Sequence, residues 1–267
     1  MAAGPLRCYE RPAMRFASPL IEGRLVERYK RFLADVDLAT GERVTAHCAN
    51  PGAMLGLLAP GSRVLLSRSA NPLRKLSYSW ELVEVALAGG PAQLVGVDTT
   101  RPNALVAEAL AHGRLPPLAG YGRARREVRY GENSRVDFLL EQDGRPPCFV
   151  EVKNCHLMRE KDLAEFPDCV AARSAKHMAE LAAVAAGGAR AVLVWVIQMT
   201  AERFDVARDI DPAYDRAYRA ALAAGVEAYA FTCRIAEDEV VIDREIPIVT
   251  PAADCPIEPA AKRSRAR

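Results

Sequence analysis

Long apolar runs are missing from this 267-residue sequence. The longest, AVLVWVI at 191–197, falls far short of the roughly 20 residues that a membrane-spanning helix needs. The opening stretch MAAGPLRCYERPAMRF has charges but no apolar core of the kind a secretory leader carries. Also missing is any C-x-x-C pair. The cysteines Cys8, Cys48, Cys148, Cys155, Cys169, Cys233 and Cys255 are odd in number and scattered, so neither a zinc site nor a disulfide framework is expected. The reading is a soluble, reducing, cytoplasmic protein without a membrane partner. Aromatic residues are few, at 6%, and net charge is only +2. That balance neither demands nor excludes nucleic acid, because the placement of cations decides binding. No internal repeat is present.

What is there describes an ordinary globular chain: half the residues are apolar and 26% charged. The length suits one elaborate domain or two modest ones. Between 16 and 98, short alternating runs such as RLVERYKRFLADVDL, RVTAHC, SRVLLSRS, SWELVEVALAG and AQLVGVDT are separated by turn signals. This spacing predicts a small β-barrel over 16–100, after an N-terminal extension at 1–15. The period changes in NALVAEALAH, 103–112, which predicts a helix stopped by Gly113. From there to 250 the predicted order is α-β-β-β-α-β-α-β. The helices are drawn from PDCVAARSAKHMAELAAVAA and PAYDRAYRAALAAG, and the result is a mixed sheet covered by helices. The tail at 251–267 is basic and lacks core residues, and is expected to be disordered.

The stretch SRVDFLLEQDGRPPCFVEVKN, 134–154, places three charges in runs that otherwise look like buried strand. Strand side chains alternate, so Glu151 and Lys153 share one face while Val150 and Val152 share the other. A hairpin across DGRPP brings Asp137 to the same spot. Two crowded carboxylates raise each other's pKa unless a cation intervenes. A hard cation such as Mg²⁺ (or Mn²⁺) takes one or two carboxylates, waters and a substrate phosphate oxygen. The neighbouring lysine can then orient water and offset charge developing on the phosphate, which is phosphodiester hydrolysis. The same triplet also fits a solvated strand face with a cross-strand ion pair contributing about 0.2–1 kcal/mol.

At this point the sequence resembles a known family. The arrangement of an Asp, a hairpin and E-x-K is similar to the PD-(D/E)xK nucleases. The longer text SPLIEGRLVERYKRFLADV, AHCANPGAMLG, NPLRKLSYSWELVEV, SRVDFLL, EVKN, FPDCVAARSAKHMAEL and ARAVLVWVIQ resembles the sugar fermentation stimulation protein A family over residues 16 to 249. The resemblance implies an N-terminal OB-like barrel and a PD-(D/E)xK nuclease-like α/β domain with a β-sheet of mixed direction. It also implies DNA binding, a link to sugar utilisation and a metal site. By position, Asp137 and Glu151 become metal carboxylates, Lys153 the catalytic lysine and Glu108 the helix acid. Glu127 and Glu132 compete with Glu108, although Glu127 also suits pairing with nearby arginines. The chain departs from the family pattern at Cys155-His156, at Pro51 and at Ser174-Ala175, where the pattern has Gly-Gln.

Four basic spots are candidate contacts with DNA (possibly RNA). Arg173, Lys176 and His177 recur at helical spacing and share one helix face, which suits phosphate contacts or plain solvation. In RYKRF, Arg28, Lys30 and Arg31 interleave with Tyr29 and Phe32 in the way OB barrels grip single strands, and read as a strand at least one aromatic belongs to the core. Arg74 and Lys75 form a third spot. A fourth comprises Arg123, Arg125, Arg126 and Arg129. Asn50 and Gly52 suit a turn approaching a ligand, or a plain hairpin. A catalytically silent DNA-binding regulator and a protein-binding barrel are the alternatives to the nuclease.

Overall fold

A computed structural model describes residues 14–131 and 134–249. Cys8, Glu132, Cys255 and the basic tail lie outside the described residues. The barrel is built from β2 (Ile21–Tyr29), β3 (Leu33–Leu38), β4 (Arg43–His47), β5 (Arg63–Arg68) and β6 (Tyr78–Ala86), with β7 (Ala92–Gly96) added on β6. Strict alternation makes these strands: in β3, Ala34, Val36 and Leu38 point inward and are buried, while the residues between them stay half-exposed. The sheet runs β4-β3-β2-β5-β6 and closes where β4 meets β6 in parallel, at Ala46–Tyr78 and His47–Ser79. Closure removes the free edges that an open sheet leaves. Gly23 is required where β2 crosses β3, because a Cβ there would stand 2.3 Å from Val36 Cγ1.

The second body is a seven-stranded mixed sheet. Its strands are β1 (Met14–Arg15), β8 (Arg123–Tyr130), β9 (Ser134–Glu141), β10 (Cys148–Cys155), β13 (Arg190–Ile197), β15 (Glu227–Ile235) and β16 (Glu239–Ile246), in the order β1-β16-β15-β13-β10-β9-β8. The neighbouring pairs β10–β13 and β13–β15 are parallel, and the other pairs are antiparallel. A three-stranded sheet of β11 (Leu157–Glu160), β12 (Leu163–Phe166) and β14 (Arg203–Val206) flanks it. Helix α1 (Arg101–Ala111) covers one face through Leu105, Val106 and Ala109, which pack on Phe138, Val150, Val152 and Val194. Helices α2 (Ala172–Ala186) and α3 (Pro212–Ala223) pack together on the other face. A single apolar core runs from Val36 and Trp80 inside the barrel to Met178, Trp195 and Tyr214 beneath α2 and α3. Each large side chain fully buried there contributes roughly 1.5–3 kcal/mol.

The structure corrects four expectations. Met14 and Arg15, placed in the N-terminal extension, pair with Val240 and Glu239 and form the edge of the second sheet. Residues 167–171 do not join α2, because Asp168 and the Ala171 N–H are engaged by side chains and backbone from elsewhere. Strands β11, β12, β14 and β16 were absent from the expected order. Finally, Lys30 and Arg31 lie in a turn, not a strand, with φ of 48° and 64°. Such left-handed backbone costs an ordinary side chain of order 1–3 kcal/mol.

Candidate functional site

The β9–β10 hairpin has the register that the sequence required, with Val150 opposite Phe138 and Phe149 opposite Leu139. Val150 and Val152 pack under α1, and Glu151 and Lys153 face α2. One step past the Val150–Phe138 pair the strands splay, and the Val152 N–H donates to Asp137 Oδ2 at 2.7 Å. The β8–β9 ladder skips the same residue. Its pairs Arg126–Phe138 and Val128–Val136 flank Asp137, and Glu127 opposite it has φ 53°. Asp137 therefore stands where both ladders are interrupted, with its carboxylate held between the Val152 N–H and Asn103 of α1.

Glu151 is buried at 2% exposure. Its Oε1 accepts from Lys153 Nζ at 2.7 Å and contacts His177 Nδ1. Lys153 Nζ also lies 3.3 Å from His177 Nδ1, and Arg173 Nε donates to His177 Nε2 at 3.4 Å. The helix repeat that aligned Arg173, Lys176 and His177 thus delivers the histidine inward and leaves the two cations at the rim. The two carboxylates are driven apart electrostatically. Burial and then the Glu151 charge push Asp137 above its ordinary range, against the Val152 N–H and Asn103. Burial pushes Glu151 up as well, but His177 and Lys153 outweigh it and hold the group low. A cavity of about 470 Å³ opens over the pair and is lined by Glu127, Arg135, Asp137, Glu151, Arg173 and Lys176.

Sequence reasoning missed or misplaced several groups. The α1 residue that reaches Asp137 is Asn103, whose Nδ2 donates to Oδ1 at 2.7 Å. Glu108, five residues on, points elsewhere and pairs with Arg114, so it is not the helix acid of this site. Glu127 lines the cavity and, among the described residues, has no ion pair with the arginines around it; Arg123 and Arg125 face Glu141 instead. His177 holds a central position against Glu151 that its spacing, shared with the rim cations Arg173 and Lys176, did not distinguish.

The basic spots also separate. Arg28 is committed to the protein, donating to the carbonyls of Asn50 (2.7 Å), Gly52 (3.0 Å) and Arg31 (2.8 Å). It holds a loop and is not a free nucleic-acid contact. Lys30 and Arg31 project from the turn beside Phe32, which is 43% exposed and stacks on His47. Tyr29 is half-buried and bonded to Asp35, so neither aromatic of RYKRF belongs to the core. Arg74 and Lys75 are exposed on the β5–β6 loop, with Arg74 bonded to Ser79 at 2.8 Å, and share no cavity with Asp137. Arg126 is exposed and lies over the Phe138 ring, 5.6 Å from its centroid.

The seam between barrel and sheet is polar and densely hydrogen-bonded. Asn50, wholly buried, donates to Val97 O at 2.9 Å and accepts from the Gly52 N–H at 2.8 Å. Gln198 bridges Asp98 O and Asn154, and His156 meets Asp168 at 3.3 Å. Asp168 also accepts from the Met54 N–H. Burial pushes Asp168 up, but His156 and that N–H prevail and hold it at about 2. A Cβ on Gly52 would stand 2.5 Å from Asp168 Oδ2, so only glycine allows this approach.

The donor set at Asp137 and Glu151 suits a hard cation. Both are carboxylates, and Glu151 Oε2 is buried without a hydrogen-bond partner, an atom that an ion in the cavity would satisfy. Among the described residues, no three His, Cys, Asp or Glu side chains form a preassembled cluster, so such an ion would keep waters or substrate oxygens. No helix of the described residues is long and apolar enough to cross a membrane.

Comparison with known proteins agrees with this architecture. Residues 26–97 match the SfsA N-terminal OB domain, and residues 100–239 match the sugar fermentation stimulation protein RE domain. A sugar fermentation stimulation protein homolog of Methylorubrum populi is 69% identical over 240 residues, covering 90% of this chain and 97% of its own. One from Rhodospirillum centenum is 55% identical over 87% of this chain and 98% of its own. The solved structure of Pyrococcus furiosus SfsA in complex with Ca²⁺ superposes with a TM-score of 0.77 at 27% identity, covering 88% of this chain and 98% of that one. The chain belongs to the sugar fermentation stimulation protein family.

Proposed function

We propose that this protein binds DNA and hydrolyses phosphodiester bonds with Mg²⁺ or Mn²⁺ held by Asp137 and Glu151. The observation that carries the reading is the convergence of Asp137, Glu151 and Lys153 at a break in two strand ladders, with a partnerless buried carboxylate oxygen facing a cation-rimmed cavity. The archaeal relative was solved with Ca²⁺, another hard, oxygen-seeking ion, which supports the metal assignment. When bound, the ion would polarise the phosphate and acidify a water.

The chain's own groups do the rest. Asn103 and the Val152 N–H fix the Asp137 carboxylate, and His177 orients Glu151. The Lys153 ammonium, 12% exposed, positions water and offsets charge on the phosphate. Arg173 and Lys176 neutralise neighbouring phosphates. The reading is tested with purified protein, labelled duplex, single-stranded and branched nucleic acids, and Mg²⁺, Mn²⁺ or chelator. Metal-dependent products from the parent and none from Asp137→Ala are expected. Titration calorimetry showing equal Mn²⁺ binding by both proteins would remove the site.

A second reading, a catalytically silent DNA-binding regulator of sugar-utilisation genes, is favoured by one feature. Glu151 Oε1 is already held by both Lys153 and His177, which leaves Oε2 alone for an incoming metal. Absence of cleavage on every substrate, with DNA affinity intact in Lys153→Ala, is the outcome that selects it.

A further inference from the structure

A second cavity, about 410 Å³, lies on the seam between barrel and sheet, within the roughly 300–1,000 Å³ of small-molecule sites. It adjoins the cavity over Asp137: Arg173 lines both, and Lys153, bonded to Glu151, lines this one. Its groups divide into two kinds. Asn50, Asn154, His156 and Asp168 are spent on one another and on backbone, so they form a fixed floor with no unused base-reading edge. The Arg31 side chain, from the barrel turn, makes no hydrogen bond or ion pair among the described residues, and Arg173 spends only Nε, on His177. Arg28 holds the Arg31 carbonyl and the 50–52 loop in place, so the strained turn is supported in the position that aims Arg31 at the seam. The apolar part comes from Phe166 and from Val170, which is 73% exposed at the mouth.

Two cations reach this hollow from opposite bodies of the protein, apolar surface lies beside them, and the proposed metal carboxylates are next door. We infer that the seam cavity receives one unpaired nucleotide of the strand whose adjoining phosphate lies over Asp137 and Glu151. Arg31 and Arg173 hold its phosphate, and its base packs against Phe166 and Val170. The substrate class is then nucleic acid with a single-stranded or extruded nucleotide at the scissile position. An uninterrupted duplex cannot offer such a nucleotide without unstacking it, which costs a few kcal/mol. With no free reading edge in the floor, the preference is for the unpaired state and not for a particular base.

This inference rests on the nucleic-acid reading above. The experiment is binding in chelator, where nothing is cut, to three oligonucleotides carrying 2-aminopurine: a continuous duplex, the same duplex with a one-nucleotide bulge at the probe, and a single strand. The parent is expected to bind the bulged and single-stranded forms at least tenfold more tightly than the continuous duplex, with a change in probe emission. Val170→Trp fills the mouth from an exposed position. It is expected to erase that preference and the emission change while leaving the melting temperature unchanged. Equal affinity of the parent for continuous and interrupted duplex, or a preference that survives in Val170→Trp, overturns the seam assignment alone. Failure to bind any of the three overturns the nucleic-acid reading and this inference together.

Discussion

Glu151, buried, and Asp168, half-buried, are carboxylates that each face a histidine. Asp168 leaves no oxygen buried without a partner among the described residues: its Oδ2 accepts from the Met54 N–H and meets His156 at 3.3 Å, and its pKa falls to about 2. The Glu151 site does. One oxygen has no partner, and the neighbouring Asp137 is pushed upward by burial and by Glu151 itself. A satisfied buried charge stabilises a fold, whereas crowded, partly satisfied carboxylates cost stability that a ligand can recover. The contrast places Asp168 in the architecture and supports the proposed role of Asp137 and Glu151.

The largest test of that division is kinetic. Lys153→Ala is expected to lower single-turnover cleavage by at least about 10²-fold, the scale for removing a group that stabilises charge in the transition state, while changing DNA affinity by less than about threefold. His156→Ala is expected to leave the cleavage rate constant nearly intact once the fraction folded is accounted for. Reversal of these two results would dissolve the comparison.

Next come opposite signs in stability, read by urea unfolding in chelator at neutral pH. Asp168→Asn should destabilise by about 1–3 kcal/mol, because it removes the charge opposite a buried histidine. Asp137→Asn should stabilise. A carboxyl whose folded pKa is raised disfavours the folded state once ionised, and the amide relieves the repulsion from Glu151. Asn103 can turn its own amide to match.

Acid titration sharpens the same point. The Asp168 pKa is depressed from 3.8 to about 2, so its contribution, about 2 kcal/mol, is fully present above pH ~5 and is lost as the pH falls through 4 toward 2. Unfolding free energy measured across that window should drop less in Asp168→Asn than in the parent. The smallest effect concerns the rim of the barrel. If Lys75 touches a phosphate, Lys75→Ala should reduce the slope of log affinity against log salt by about 1, and less if it does not.

Much of the site was legible because strand alternation and hairpin register are local: SRVDFLL and CFVEVKN alone place Asp137, Glu151 and Lys153 together. The helix partner was not legible. Asn103 and Glu108 lie on one short helix, and only the packing of Leu105 and Ala109 on the sheet decides which of them faces Asp137. LMRE and LAEF, at four residues each, are too short to announce strands; they pair with each other, and LAEF also pairs with the distant β14. Lys30 and Arg31 adopt a backbone that glycine usually supplies, so RYKRF read as continuous strand. Arg28 looked like a ligand contact because nothing in sequence reveals that a guanidinium will be spent on carbonyls twenty or more residues away.

The pairing of Met14 with Val240 has a consequence for how the chain is made. During synthesis the barrel emerges whole, but the strand that precedes it has no partner until β16 leaves the ribosome. The first described residues of the protein are thus the last to be locked in place. Until then the barrel hangs from an open end, and the second sheet has an edge that other chains can reach.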